Sequence, residues 1–488
     1  MLFNTPEFII FFIIFLTIIW SVKIQKFQYT LILVSSYFFY FYTSNYLILL
    51  LISSTLLDFF IARKIWKVEN IIKKKILLIS SISGNLAMLG FFKYADFMIL
   101  QFNIMGEKIN LTESIPLLEL ALPIGISFYT FQTISYTVDV FRKKIQPTES
   151  FIEFATYVAF FPQLVAGPII RASDFLPQLR TKMNLGISVL RQIVIEKSNL
   201  KFGISLMAIG FVKKMLFADN IVSIPNDIFS QTLTSSSLEI WFGTIAFGIQ
   251  IYCDFSGYSD IAIGAARILG FNIPINFNKP YFATSPSDFW RRWHISLSTW
   301  LRDYLYIPLG GNKKSKSRTY LNLGIVMLIG GLWHGASWNF VIWGILHGAY
   351  LAIHRFISDR FPRVSGFWFF KNRIGKIISI IIMQYFVFLA WIPFRIQDFN
   401  QISYAMIKYI IIDFQLHPIF IFLNSHKTSA LLVISFLILQ CIVFRKGEIA
   451  IKISEMNNKK WFLILLAMCL AILVFHQGNP ENFIYFKF

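Results

Sequence analysis

Two short stretches of this chain hold the residue types that catalysis needs. In Asp288-Phe-Trp-Arg-Arg-Trp-His294-Ile-Ser-Leu-Ser298, two arginines, an aspartate and a histidine fall within seven residues. In Gly330-Gly-Leu-Trp-His334-Gly-Ala-Ser-Trp338, a histidine is framed by glycines. A neutral imidazole serves as general base for a hydroxyl nucleophile near neutral pH. Glycine beside it lets backbone and ligand approach closely. The setting sharpens the signal. The chain is 56% hydrophobic and 14% charged, where soluble domains carry about 25% charged residues. Ionisable groups at membrane depth are expensive and mark cavities or partners.

His334, read alone, is equally a core histidine that bonds across helices. Its glycine turn and the neighbouring charged cluster assign it to function, as the candidate catalytic base. His294 either orients a substrate or ties helices together, and is taken as the second catalytic candidate. Read as one helix over 288–306, the first stretch puts Trp290, His294, Leu297 and Leu301 on one stripe. Arg292, Ser296, Thr299 and Asp303 form another. Such a helix is amphipathic and can lie along an interface. Asp288, Trp290, Arg291, Arg292 and Trp293 are candidate substrate-binding residues, although the arginines could equally snorkel to headgroups. Trp333 and Asn339 join them from the second stretch. A helix over 339–355 aligns Asn339, Trp343, His347, Tyr350 and His354, and the last two histidines read as structural or interfacial. Asp254, Tyr258 and Asp260, in YCDFSGYSDIAIG, are expected to face the same cavity. The sequence has no HExxH, P-loop, GxGxxG or GxSxG, so no metal site is expected. Cys253, Cys441 and Cys469 are isolated and read as packing residues.

The elements that position these residues are apolar runs recurring from Phe8 to Phe475. A bilayer crossing needs about 20 such residues, and the pattern predicts roughly eleven to thirteen membrane segments, some short, broken or re-entrant. Candidate spans include Phe151–Ile170, Ile240–Tyr252, Ile261–Ile273, Tyr320–Leu332, Phe340–Ile357 and Ile377–Pro393. The fold class is therefore an all-α polytopic membrane protein with a single domain over 1–488. Residues 1–118 and 357–488 read as scaffold, and 119–356 as the catalytic section. The net charge of +20 invites a nucleic-acid reading. The basic residues instead cluster between apolar runs: Lys23/Lys26, Lys73–Lys75, Arg142–Lys144, Lys213/Lys214, Lys313–Arg318 and Lys371/Arg373/Lys376. That is the pattern of cytoplasmic loops, and no nucleic-acid partner is expected. The first apolar run lacks a basic leader and reads as a retained helix with the N-terminus outside.

Together these motifs resemble the membrane-bound O-acyltransferase family. The matching stretches are LPIGISFYTFQTISYTVDV, FFPQLVAGPIIR, IQIYCDFSGYSDIAIGAARILGF, NFNKPYFATSPSDFWRRWHISLSTWLRDYLYIPLGGN and GGLWHGASWNFVIWGILHGAY. They look most like the bacterial branch that O-acetylates alginate and peptidoglycan. The resemblance implies a ring of helices around a central site, with His334 as the signature histidine and His294 in the second motif. It implies acetyl-CoA or another acyl thioester as donor substrate, with no bound cofactor. It implies a bacterial inner-membrane location and transfer across the bilayer to an extracytoplasmic acetyltransferase partner or to a polysaccharide. The C-terminal section, Lys371 to Phe488, suits the polysaccharide-acetylating members. Alternatives are D-alanyl transfer to teichoic acid, a solute transporter, or a scaffold that only recruits a transferase.

Overall fold

The computed structural model describes residues 1–110, 114–165, 167–182, 188–361, 372–476 and 483–484. Lys371 of the last basic cluster and Ala166 of the FFPQLVAGPIIR motif lie outside them. The described chain is all-α apart from a two-stranded antiparallel ribbon, Arg180–Lys182 with Ser188–Leu190, in the register Arg180↔Leu190. Helices keep every backbone N–H and C=O bonded within the segment, which the bilayer core demands.

Among the described residues, five stretches are long and apolar enough to cross a membrane: Gln25–Lys67, Ile71–Lys108, Trp338–Arg360, Arg373–Arg395 and Lys427–Arg445. The first is two helices of 20 residues each, parted near Asn45, whose φ of 46° breaks the run. Pro6–Ser21 and Leu416–Ser425 are shorter apolar helices.

Three sequence expectations change. The spans Ile240–Tyr252 and Ile261–Ile273 are one helix, Ser237–Ile268. Its polar middle needs no break, because Asp254 and Asp260 are neutralised in place by lysines. Those lysines, Lys213 and Lys214, are not a loop cluster. They sit in a π-helical turn, Val212–Ala218, and Lys214 is buried. The span Phe151–Ile170 instead breaks into Phe151–Ala159 and Phe161–Leu164. Pro162 cannot donate into a continuing helix and pushes Phe161's predecessor region toward a new start.

The chain forms two compact units, Met1–Met207 with Ile261–Pro274, and Ala208–Asp260 with Ile275–Phe488. In the first, the Ile126–Phe141 helix is buried from Ile126 to Val140 although half of it is polar. Its Thr137 donates to Asp58 Oδ1 at 2.8 Å, and Asn85 Nδ2 donates to Asp58 Oδ2 at 2.6 Å. Ser81 donates to the same carboxylate. A buried polar group is tolerated when it is bonded in this way.

The second unit carries both histidine motifs. Its framework is a hairpin of the Lys316–His334 and Trp338–Arg360 helices. A Cβ at Gly331 would stand 2.3 Å from Phe340 O, and one at Gly344 2.6 Å from Met327 O. Only glycine allows these backbones to approach so closely, the usual small-residue device of membrane helices. The Arg373–Arg395 helix packs on the hairpin, and Asn339 Nδ2 donates to Pro393 O at 3.0 Å near that helix's end.

Candidate active site

His334 is the last residue of the Lys316–His334 helix, not part of the turn that follows. The glycine contacts above fix that helix end, and with it the imidazole. The ring is 3% exposed. Four aromatic rings enclose it: Trp333 at 5.0 Å, Trp343 at 4.9 Å, Phe394 at 5.1 Å and Phe340 at 6.5 Å between centroids. The enclosing rings leave the imidazole almost no contact with solvent.

His294 reaches the same place by a different route. The single helix expected over 288–306 is three pieces: Pro286–Trp290, Ile295–Leu301 and a π-turn Arg302–Tyr306. The break is at His294 itself, whose φ of 42° and ψ of 55° are left-handed. The predicted stripes do not form, because the chain reverses its helical phase there. A non-glycine residue in this region costs about 1–2 kcal/mol, and such strain gathers at functional sites. Asn276 repays it. Its carbonyl accepts from Ile295 N at 2.9 Å, and its Oδ1 accepts from Ser296 Oγ at 2.9 Å and Ser296 N at 3.3 Å.

These bonds determine the histidine's tautomer. The Ser296 N–H can only donate, so the Asn276 atom that meets it is the amide oxygen. His294 Nδ1 lies 3.1 Å from the same oxygen. Nδ1 must therefore carry the proton, and the lone pair is on Nε2. Asn276 Nδ2 completes the arrangement by donating to Ser259 Oγ at 3.2 Å. His294 is fully buried, with Phe255 edge-on at 4.7 Å. Its ring centroid is 5.8 Å from Trp333, which also touches His334. Trp333 thus joins the two histidines.

The remaining candidates divide. Trp293 packs among Phe277, Phe289 and Trp391 at 5.0–5.7 Å and is buried. Trp290 is half-buried, 5.8 Å from Trp343 and 5.2 Å from His347. These tryptophans extend the wall around the histidines. His347, read as structural or interfacial from sequence, is buried in that wall, 4.6 Å from Trp343. Asn339 is engaged with Pro393. Asp288 and Arg292 pair with each other at 2.9 Å, and Arg291 is exposed. Asp254, Tyr258 and Asp260 are held by lysines and by residues 483–484. Lys214 Nζ lies 2.9 Å from Asp254 Oδ1 and 2.8 Å from Asp219 Oδ1, and Lys213 Nζ lies 2.6 Å from Asp260 Oδ2. Ile484 N donates to Asp254 Oδ2 at 2.7 Å, and Tyr258 packs on Phe483 at 4.5 Å. Sequence reasoning missed Asn276 and Lys214. Asn276 lies eighteen positions before His294 with no spacing signal, and Lys214 was hidden by its resemblance to a loop cluster.

Comparison with known proteins identifies the family. The model of the membrane-bound O-acyltransferase family matches residues 32–392. The chain is 37% identical over 367 residues to a peptidoglycan O-acetyltransferase of Helicobacter pylori, covering 70% of this chain and 66% of that one. It is 36% identical over 409 residues to a probable alginate O-acetylase of Pseudomonas aeruginosa, covering 83% and 74%. A teichoic acid D-alanyltransferase of Bacillus subtilis is 26% identical over 289 residues, covering 57% and 69%. The chain thus spans about two thirds of the length of the Helicobacter protein.

Proposed function

The chain belongs to the membrane-bound O-acyltransferase family, and we propose that His334 and His294 together transfer an acetyl group from a thioester to a hydroxyl of a cell-envelope glycan. By membership it is a multi-pass membrane enzyme of the O-acyltransferase class. Its relatives at 36–37% identity are named for O-acetylation, and the D-alanyl relatives stand at 26–30%. Acetyl is therefore favoured over D-alanyl.

The observation that carries the roles is the pair of buried imidazoles sharing Trp333. His334 accepts the proton of the attacking hydroxyl. The oxygen bonds to the thioester carbonyl carbon, and the tetrahedral intermediate collapses with cleavage of the carbon–sulfur bond. The proton on His334 passes to the departing thiolate. His294, with its lone pair on Nε2, accepts a hydrogen bond from a second hydroxyl of the acceptor and so orients the attacking one. General-base help is worth about 10²–10⁴-fold in rate, and positioning of the two substrates supplies much of the rest. The donor is acetyl-CoA or another acyl thioester arriving from the cytoplasm. The acceptor is a polysaccharide or an extracytoplasmic acetyltransferase partner, and the membrane is the bacterial inner membrane. Peptidoglycan and alginate are the glycans to test first.

The test uses the full chain in membranes with radiolabelled acetyl-CoA. His334→Ala should abolish transfer while insertion and elution on size exclusion are unchanged. Transfer at the wild-type rate in that variant overturns the assignment, and D-alanyl transfer in place of acetyl overturns the donor.

A further inference from the structure

Within the second unit there is a cavity of about 440 Å³ to which no role has yet been given. Its volume lies in the range of about 300–1,000 Å³ typical of small-molecule sites. Arg395, Asn226, Gln250, Gln401, Phe229 and Phe247 line it. Arg395 ends the Arg373–Arg395 helix, half-buried, and its Nη2 donates to Asn226 Oδ1 at 2.8 Å. No carboxylate among the described residues pairs with it. Asp398 also lines the cavity, but its Oδ1 accepts from Gln401 N at 2.8 Å and caps the next helix. Gln250 is 9% exposed, and its Oε1 has no hydrogen-bond partner. A buried amide oxygen without a partner is costly unless something else bonds to it.

The cavity adjoins the histidine wall. Arg395 directly follows Phe394, whose ring is 5.1 Å from His334. Phe247 stands 6.4 Å from Trp391, which stands 5.2 Å from Phe394. Its side of the membrane follows from charge. Arg355 and Arg360 close the Trp338–Arg360 helix, and Arg373 and Lys376 open the antiparallel Arg373–Arg395 helix. Basic ends face the cytoplasm, so the opposite end, at Arg395, faces outward.

We propose that this cavity is an acceptor-side subsite for a hydroxyl-rich carboxylate, a sugar unit of the uronic-acid type. The inference rests on the reading of the chain as a glycan O-acetyltransferase. A guanidinium matches a carboxylate with two parallel hydrogen bonds. The amides of Asn226, Gln250 and Gln401 offer donors and acceptors to ring hydroxyls. Phe229 and Phe247 cover the apolar face of the ring.

The experiment measures binding, not transfer, on the full chain in lipid nanodiscs. The probes are a glucuronic-acid trisaccharide and a neutral glucose trisaccharide. The acidic sugar should bind at least about ten-fold more tightly. Arg395→Gln should remove that preference and leave acetyl-CoA binding unchanged, and Arg395→Lys should retain part of it. Gln250→Leu should weaken both sugars alike. Equal binding of the two sugars to the wild type overturns the proposal, as does an undiminished preference in Arg395→Gln. If Arg395→Gln does not fold, the wild-type comparison and Gln250→Leu still decide. Absence of acetyl transfer with the preference intact would sink the enzymatic reading and leave the subsite standing.

Discussion

Asn276 Oδ1 lies 3.1 Å from His294 Nδ1, and the Ser296 N–H on the same oxygen fixes the amide's orientation. One side chain thus sets both the strained backbone and the tautomer of a catalytic candidate. Asn276→Leu keeps the branched shape but removes the acceptor, so the Asn276 contact to Nδ1 is lost and the proton is free to move to Nε2. We expect kcat to fall by up to about 10²-fold, with KM for the thioester little changed, because general acid–base help spans about 10²–10⁴. Steady-state kinetics at several pH values check this. An unchanged kcat would leave His294 a purely structural histidine.

How far this site was legible in the sequence depends on the residue. His334 and Trp333 stand out because glycines crowd a histidine inside an apolar run, and polar chemistry there has few bland explanations. The two helices of the hairpin were legible too, as the apolar spans Tyr320–Leu332 and Phe340–Ile357, but their close approach at Gly331 and Gly344 was not. Asn276 was not, because an asparagine near a proline reads as an ordinary turn residue, and its partner arrives only through the fold. The break at His294 was equally hidden. The apolar periodicity of 288–306 continues across it, and a left-handed residue leaves no trace in a pattern. Lys214 misled for the opposite reason. Two adjacent lysines look like a loop until the fold supplies Asp219, Asp254 and Asp260.

Lys214 is 1% exposed and bridges Asp219 and Asp254. Replacing it with methionine strands two carboxylates, one of them 2% exposed. Removing one partner of a buried pair typically costs about 3–5 kcal/mol. Lys214→Met should therefore lower the thermal midpoint of the detergent-solubilised protein markedly, and adding Asp254→Asn should recover part of the loss. A double variant no better than the single would mean that the pair is not coupled.

Gly344 tests whether the hairpin positions His334. A methyl there would meet Met327 O at 2.6 Å. The helices must separate, at a cost of about 1–3 kcal/mol for an overpacked contact. Gly344→Ala should reduce acetyl transfer more than it reduces yield, because the displaced helix ends in His334. Gly324, whose Cβ would meet nothing within 4 Å, is the control, and Gly324→Ala should be near neutral. Equal effects of the two substitutions would contradict the argument.

The exposed lysines Lys313 and Lys314 precede, and Lys316 opens, the helix that ends at His334. Basic loops lie on the cytoplasmic side, the side from which the proposed donor arrives, and CoA carries phosphates that short thioesters lack. Reversing Lys313 and Lys314 to glutamate should raise KM for acetyl-CoA several-fold at low salt, about 3–10-fold, and leave kcat unchanged. The effect should shrink toward 0.5 M salt, where the screening length falls to only a few ångströms, about 4 Å. KM for acetyl-pantetheine, which carries no phosphate, should not move. A rise in KM that is equal for both thioesters would show that the loop acts on the shape of the entrance and not on the donor's charge.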